Sequence, residues 1–279
     1  MASPAESAEI TFQTKIYFIA GEILMKAWQI FRHALRQLTG NLKDAVFISA
    51  IPFGSAAVFA AFMVGNLFLR TQSKMSRHID SGQVTPDIGK ILLVSLALTV
   101  MFLWVAVAWH RFVLRSEQPG LIPRFHGGRM AAYFGKGLLL GLLLAIPAVI
   151  LMVIVGVIVG SLPPATAPYA MLLVVPAYIV LSAFALRLAT ILPGTALGVP
   201  TSLVTVMTET GGNNLTYLGL AGILWILSVI IGFVTQLLAM VSQVLALVWE
   251  IPTQWFLTML SLSILTTLYG YYIEKRELH

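Results

Sequence analysis

Cysteine is absent from the 279 residues, and charged residues make up only 10% of them. The first absence excludes disulfides, thiolate metal sites and cysteine nucleophiles. The second excludes an ordinary soluble domain, which carries about 25% charged residues. Sequence signatures of catalysis are missing too. There is no His-Glu-x-x-His, no glycine–lysine phosphate loop and no Gly-x-Ser-x-Gly elbow. No Asp falls inside an apolar run, and His110 is the one histidine close to a span. Paired carboxylates for acid–base work have to come from loops, so neither an enzyme nor a cofactor or metal is expected. Met1 to Ala8 lacks a basic region leading into an apolar core, so a cleaved signal peptide is not expected either.

What is present is apolar. Hydrophobic residues reach 58%, and mean hydropathy is +0.91. This composition predicts an all-α, polytopic membrane protein, a single integral membrane domain over 1–279 with no separate soluble unit. A crossing helix needs about 20 apolar residues. Six stretches qualify: Ala45–Leu69 (with Pro52 and Gly54), Ile91–Trp109, Gly137–Leu162 (with Pro147), Tyr169–Leu186 running on to Leu192, Tyr217–Trp249, and about Gln254–Ile273. The fifth is an uncharged run of 33 residues, roughly 50 Å as a helix. Either it tilts and protrudes or its last turns lie along the far surface, with the turn at Glu250-Ile251-Pro252-Thr253.

Two shorter helices are expected at the surface. From Ile16 to Leu38, apolar residues recur every three to four positions, with Glu22, Lys26, Gln29, Arg32, His33 and Arg36 on the other face. That pattern predicts an amphipathic interfacial helix, Trp28 at headgroup depth, stopped by Thr39-Gly40-Asn41. A second short helix is expected over Thr201–Thr210, capped by Thr201 or Ser202. Arg129–Lys136 reads as a short segment ahead of the third span.

Six spans put thirteen of the 17 Lys and Arg residues on one side and only Arg70, Lys74, Arg77 and Lys90 on the other. By the positive-inside rule both termini are expected in the cytoplasm. The net charge of +6 lies beside apolar spans, which points to anionic lipid headgroups and away from nucleic acid. Membrane lipids are therefore the expected partners, with protein partners or a larger membrane complex as the second class.

Thr39-Gly40-Asn41-Leu42 ahead of span one has a counterpart in Gly212-Asn213-Asn214-Leu215 ahead of span five. With His126-Gly127-Gly128 between them, the spacing suggests three hairpin repeats, approximately 16–120, 121–198 and 199–279. All enter from one side, unlike the inverted repeats of many transporters.

The string Leu186-Arg187-Leu188-Ala189-Thr190-Ile191-Leu192-Pro193-Gly194-Thr195-Ala196-Leu197-Gly198, then Ser202-Leu203 and the Thr210–Leu215 Gly/Asn segment, resembles a segment of poorly characterised bacterial inner-membrane proteins. These are the YciC-like group and the membrane domain attached to some glycerophosphodiester phosphodiesterases. Leu265-Thr266-Thr267-Leu268-Tyr269-Gly270-Tyr271 resembles their last span. The resemblance implies a multi-pass inner-membrane, lipid-facing role. It brings no catalytic residue, since the soluble phosphodiesterase domain is absent.

The candidate residues fall into two sets. Arg187, Gln236, Gln243 and Glu250 are candidates for an intramembrane polar path. Arg187 lies between two apolar stretches, and the other three recur every seven residues on one face of a straight helix. The bland alternatives are a snorkelling interfacial arginine and interhelical hydrogen-bond glue. Trp28, Lys26, Arg32, Arg36, Trp109, His110 and Arg111 are candidates for interfacial lipid contacts, as an aromatic and cations at the end of an apolar run mark a membrane exit. The function expected is non-enzymatic binding or organising of membrane lipid or partner proteins. The alternative is a transporter or channel for a lipid or small solute.

Overall fold

The computed structural model describes residues 21, 24–75, 88–120, 122–163, 165–166, 169 and 171–278. Lys15, Ile16, Ile19, Glu22, Ile23, Arg77, Ser81-Gly82 and Pro86 lie outside the described residues. The chain is an all-α, multi-pass membrane protein, with no strand among the described residues and six helices long and apolar enough to cross a bilayer.

An N-terminal helix, α1, covers 24–40 and gives way after a one-residue turn at Asn41 to α2 (Leu42–Met75). Asn41 makes that break by turning its amide back on the Gln37 carbonyl at 2.8 Å. Next come α3 (Ile88–Arg115), α4 (Gly127–Ser161), α5 (Met171–Ala189), α6 (Ile191–Leu197), α7 (Leu203–Glu209), α8 (Asn214–Val241) and α9 (Gln243–Tyr272). Three hairpins, α2–α3, α4–α5 and α8–α9, all begin and end at the end of the bundle that carries most of the arginines. That end is called the basic end below. Helices α3, α4, α5, α8 and α9 each pack on the next, and α9 returns to α3, closing a ring. Helix α2 stands against α3, and α6 is wedged among α3, α4 and α9.

Several boundaries differ from the sequence expectation, each for a local reason. The 33-residue uncharged run is two helices. Ser242 takes extended backbone (φ −163°, ψ 132°), and its hydroxyl accepts the Val244 N–H at 3.2 Å. Cap chemistry at one serine thus overrides apolar continuity, and Glu250 and Pro252 lie inside α9. Arg129–Lys136 is no separate segment but the first turns of α4. The α7 cap falls on Ser202, whose hydroxyl accepts the Thr205 N–H at 3.0 Å.

Burial is uneven along the helices. Those of α3 that are buried lie in its second half: Val105, Ala106, Val107, Trp109, His110 and Leu114. In α8 they are Thr216, Tyr217, Leu220 and Ala221, all in the first turns. Half of the most apolar stretch of α9 is buried, and none of that of α4. The core therefore sits at the basic end, and the far ends of the helices present apolar side chains to lipid.

Helix α1 belongs to that core. Ala27, Ile30, Ala34 and Leu38 are fully buried, and Gly219 of α8 admits the close approach, since a Cβ there would stand 3.0 Å from the Ala27 Cβ. The amphipathic face thus docks on protein, leaving Leu24, Met25 and Trp28 exposed.

Candidate functional site

Helix α6 fixes the basic end. Ile191, Pro193, Gly194, Ala196 and Leu197 are buried, although the segment carries a proline and a glycine. Gly198 ends it in the left-handed region (φ 77°), where a glycine avoids the Cβ clash. Its N–H donates to the Thr195 carbonyl at 3.1 Å, and that of Val199 donates to Gly194 at 2.9 Å, the paired bonds of a Schellman motif. Two arginines meet this end. Arg111 of α3 donates to the Ala196 carbonyl at 3.4 Å, and the Arg129 guanidinium of α4 lies against Gly198. Gly194 is equally constrained, because a Cβ there would fall 2.6 Å from Thr201 Oγ1 and 2.7 Å from Tyr269 Cε2.

Arg187 is held within the protein. Its Nε donates to Thr210 Oγ1 at 2.8 Å, one Nη to Asn214 Oδ1 at 2.5 Å and the other to the Met207 carbonyl at 2.8 Å. Thr210 in turn donates to the Val206 carbonyl at 2.6 Å, so its hydroxyl is free to accept. The guanidinium fork ties the end of α5 to α7 and to the start of α8. It does not face a path. Gln236 on α8 and Gln243 on α9 are exposed, and Glu250 accepts from Gln254 on its own helix at 3.3 Å. Because the chain turns at Ser242, Gln236 does not share a helix with Gln243 and Glu250, and the seven-residue spacing does not put all three on one face. They stand toward the far end, away from Arg187.

Trp109 and His110 are not interfacial. Both are 0% exposed, because α3 runs a further turn and a half beyond them and α9 and α4 close over that turn. His110 Nδ1 is 2.8 Å from Thr266 Oγ1, and Nε2 is 3.2 Å from the Tyr133 hydroxyl. Thr266 already donates to the Leu262 carbonyl at 2.7 Å. Its oxygen therefore accepts from His110, which assigns the proton to Nδ1 and leaves Nε2 to accept from Tyr133. The result is a directed chain from Tyr133 through a neutral imidazole to Thr266, joining α4, α3 and α9. An unpaired charge at this depth would cost several kcal/mol, so the neutral form is the one that fits.

Arg111 pairs with Glu117 at 2.7 Å, and His126 Nε2 meets the other carboxylate oxygen at 2.9 Å. Partial burial pushes the Glu117 carboxyl up, but the hydrogen bonds and charges of His126 and Arg111 outweigh it and hold the group below its ordinary 4.5. Lys26 lies 5.1 Å over the Tyr271 ring, and Trp28 stacks on Phe31 at 5.5 Å. Arg32 and Arg36 are exposed beside them.

Between α1, the ends of α3 and α9, and the segment after α9 lies a partly enclosed cavity of about 290 Å³. His33 and Gln37, four residues apart on α1, share its wall with Thr266, Thr267, Tyr271 and Arg276. Lys275 takes a positive φ of 57°, and the following chain folds back so that the Arg276 N–H reaches the Gly270 carbonyl at 2.9 Å. Tyr133, His33, Gln37, Thr266 and Thr267 were not candidates from sequence. For His33, Gln37 and Thr267 the signal is the four-residue spacing of His33 with Gln37 and of Thr267 with Tyr271, each pair lying on one helix face; no sequence signal marks Tyr133 or Thr266. Among the described residues no group of three His, Asp or Glu side chains is placed to hold a metal ion.

No family model, curated protein or solved structure matches this chain.

Proposed function

We propose that the chain is a non-enzymatic, multi-pass protein of the bacterial inner membrane, with its basic end in the cytoplasm. There it binds anionic lipid headgroups and so organises lipid or partner proteins. The observation that carries this reading is one of charge and packing together. Arg32, Arg36, Arg115 and Arg124 are exposed at the basic end and have no ion pair among the described residues. Beneath them Trp109 and His110 are fully buried. Each cation held near an anionic surface adds about 1 kcal/mol of attraction. The resemblance of the Leu186–Gly198 string to inner-membrane families supports the location, and three hairpins entering from one end support the repeat reading.

The test uses the full chain in phosphatidylcholine nanodiscs with and without phosphatidylglycerol. Spin-labelled lipid reports which headgroup is immobilised. Phosphatidylglycerol is expected to be preferred, and replacing the four arginines by glutamine is expected to abolish the preference. Equal immobilisation of both lipids by the unaltered protein overturns the proposal. A transporter or channel along Arg187, Gln236, Gln243 and Glu250 draws no support from their positions.

A further inference from the structure

Two residues that line the cavity beneath α1 carry side-chain atoms that lack a partner. Gln37 Oε1 and Thr267 Oγ1 are buried with no hydrogen-bond partner among the described residues, and Thr267 as a whole is only 4% exposed. Leaving a buried polar atom unsatisfied costs about 1–3 kcal/mol. The wall also holds charges of both signs. Arg276 is steadied by Glu274 at 2.6 Å and by the Leu114 carbonyl at 2.9 Å, which engages Nε and Nη2 and leaves Nη1 for another acceptor. Glu277 lines the same cavity.

We propose that this cavity binds one zwitterionic ammonium–phosphate group of the phosphoethanolamine class. The Nη1 of Arg276 and the Thr267 hydroxyl donate to the phosphate. Gln37 Oε1 accepts from the ammonium, and the Glu277 carboxylate supplies opposite charge. A simple anion fits less well, since it would face Glu277. A quaternary ammonium has no N–H to give Gln37. At about 30 Å³ per water the space matches a headgroup, leaving acyl chains outside among the exposed apolar residues of α1. The same group occurs on a phospholipid and as free phosphoethanolamine. The phospholipid source rests on the lipid-binding reading above, and the free source does not.

The experiment takes the purified full chain and measures retained lipid by native mass spectrometry after exchange into nanodiscs of mixed phosphatidylethanolamine, phosphatidylglycerol and phosphatidylcholine. Calorimetric titration with O-phosphoethanolamine in detergent forms the second arm. One phosphatidylethanolamine per chain is expected over the other two lipids. Gln37→Leu and Thr267→Val are each expected to weaken retention about tenfold, the effect of one lost hydrogen bond to a charged group. Thr267→Val is isosteric and removes an unpaired hydroxyl, so its thermal unfolding serves as the control for folding. Heat with O-phosphoethanolamine but no retained lipid supports the site and assigns it to the soluble ligand. Retention that both variants leave unchanged, a preference for phosphatidylcholine or phosphatidylglycerol, or no binding in either arm overturns it. The four-arginine variant separates the two proposals: it removes the spin-label preference for phosphatidylglycerol over phosphatidylcholine and leaves phosphatidylethanolamine retention intact.

Discussion

At the basic end Trp109, Ile191 and Leu268 are fully buried, whereas at the far end Met152, Met240 and Val241 keep 77%, 74% and 76% of their surface exposed. Composition does not make the difference, because both ends are apolar. In lipid an exposed Met or Val loses little, so there is no hydrophobic drive to pack the far ends of the helices. What gathers the basic end is a set of directed polar ties between helices that apolar packing then seals. They are the Tyr133–His110–Thr266 chain, the Arg187 fork and the arginines on the end of α6. The lesson is that polar residues locate the core of this protein and apolar residues fill it.

The comparison breaks most visibly at Trp109. Trp109→Ala is expected to lower stability by about 3–5 kcal/mol, read as a fall in the unfolding midpoint in detergent, while Met152→Ala at the far end leaves it nearly unchanged. Next is Arg187. Arg187→Lys keeps the charge but loses the three-way fork, and a loss of about 2 kcal/mol is expected, with faster proteolysis within 199–213 as the local readout. Glycines offer a paired test of similar size. Gly194→Ala forces a Cβ against Thr201 and Tyr269 and is expected to cost about 1–3 kcal/mol. Gly156→Ala on α4 enters open space and is expected to stabilise by about 0.5–1 kcal/mol.

The smallest effect is electrostatic. The folded Glu117 carboxyl is held below its ordinary 4.5. Its contribution is therefore present in full above that value and disappears as pH falls through the folded one. Unfolding midpoints followed from neutral pH into acid are expected to drop less steeply in Glu117→Gln than in the unaltered chain. Parallel curves would remove Glu117 from the account of the basic end.

Much of the architecture was legible in the sequence because span length and charge bias are one-dimensional properties. The six spans, the single basic end and a cap at Thr201 or Ser202 follow from runs and neighbours along the chain. The site was less legible because its geometry depends on which helices meet. Trp109-His110-Arg111 looks like a membrane exit when read linearly, and only the closure of α4 and α9 over α3 makes it interior. The 33-residue run carries no proline or charge to announce a turn, and Ser242 breaks it by a hydrogen bond that hydropathy does not register. Thr266 and Thr267 have ordinary helix-compatible side chains, and their importance appears only once His110 and Gln37 stand opposite.

Helix α6 also dictates an order of assembly. Its seven residues are too short to cross a bilayer, and its walls come from α3 and α4, made before it, and α9, made after it. Trp255 of α9 likewise donates to Ser49 of α2 at 2.7 Å across 206 positions of sequence. Until the α8–α9 hairpin is inserted, Ile191–Leu197 has no closed site, because the Tyr269 ring that covers Gly194 is missing. The ribosome must therefore deliver the chain through α9 before the basic end can close. A product stalled after α8 would carry α6 with one wall open, held only from the α3 and α4 side.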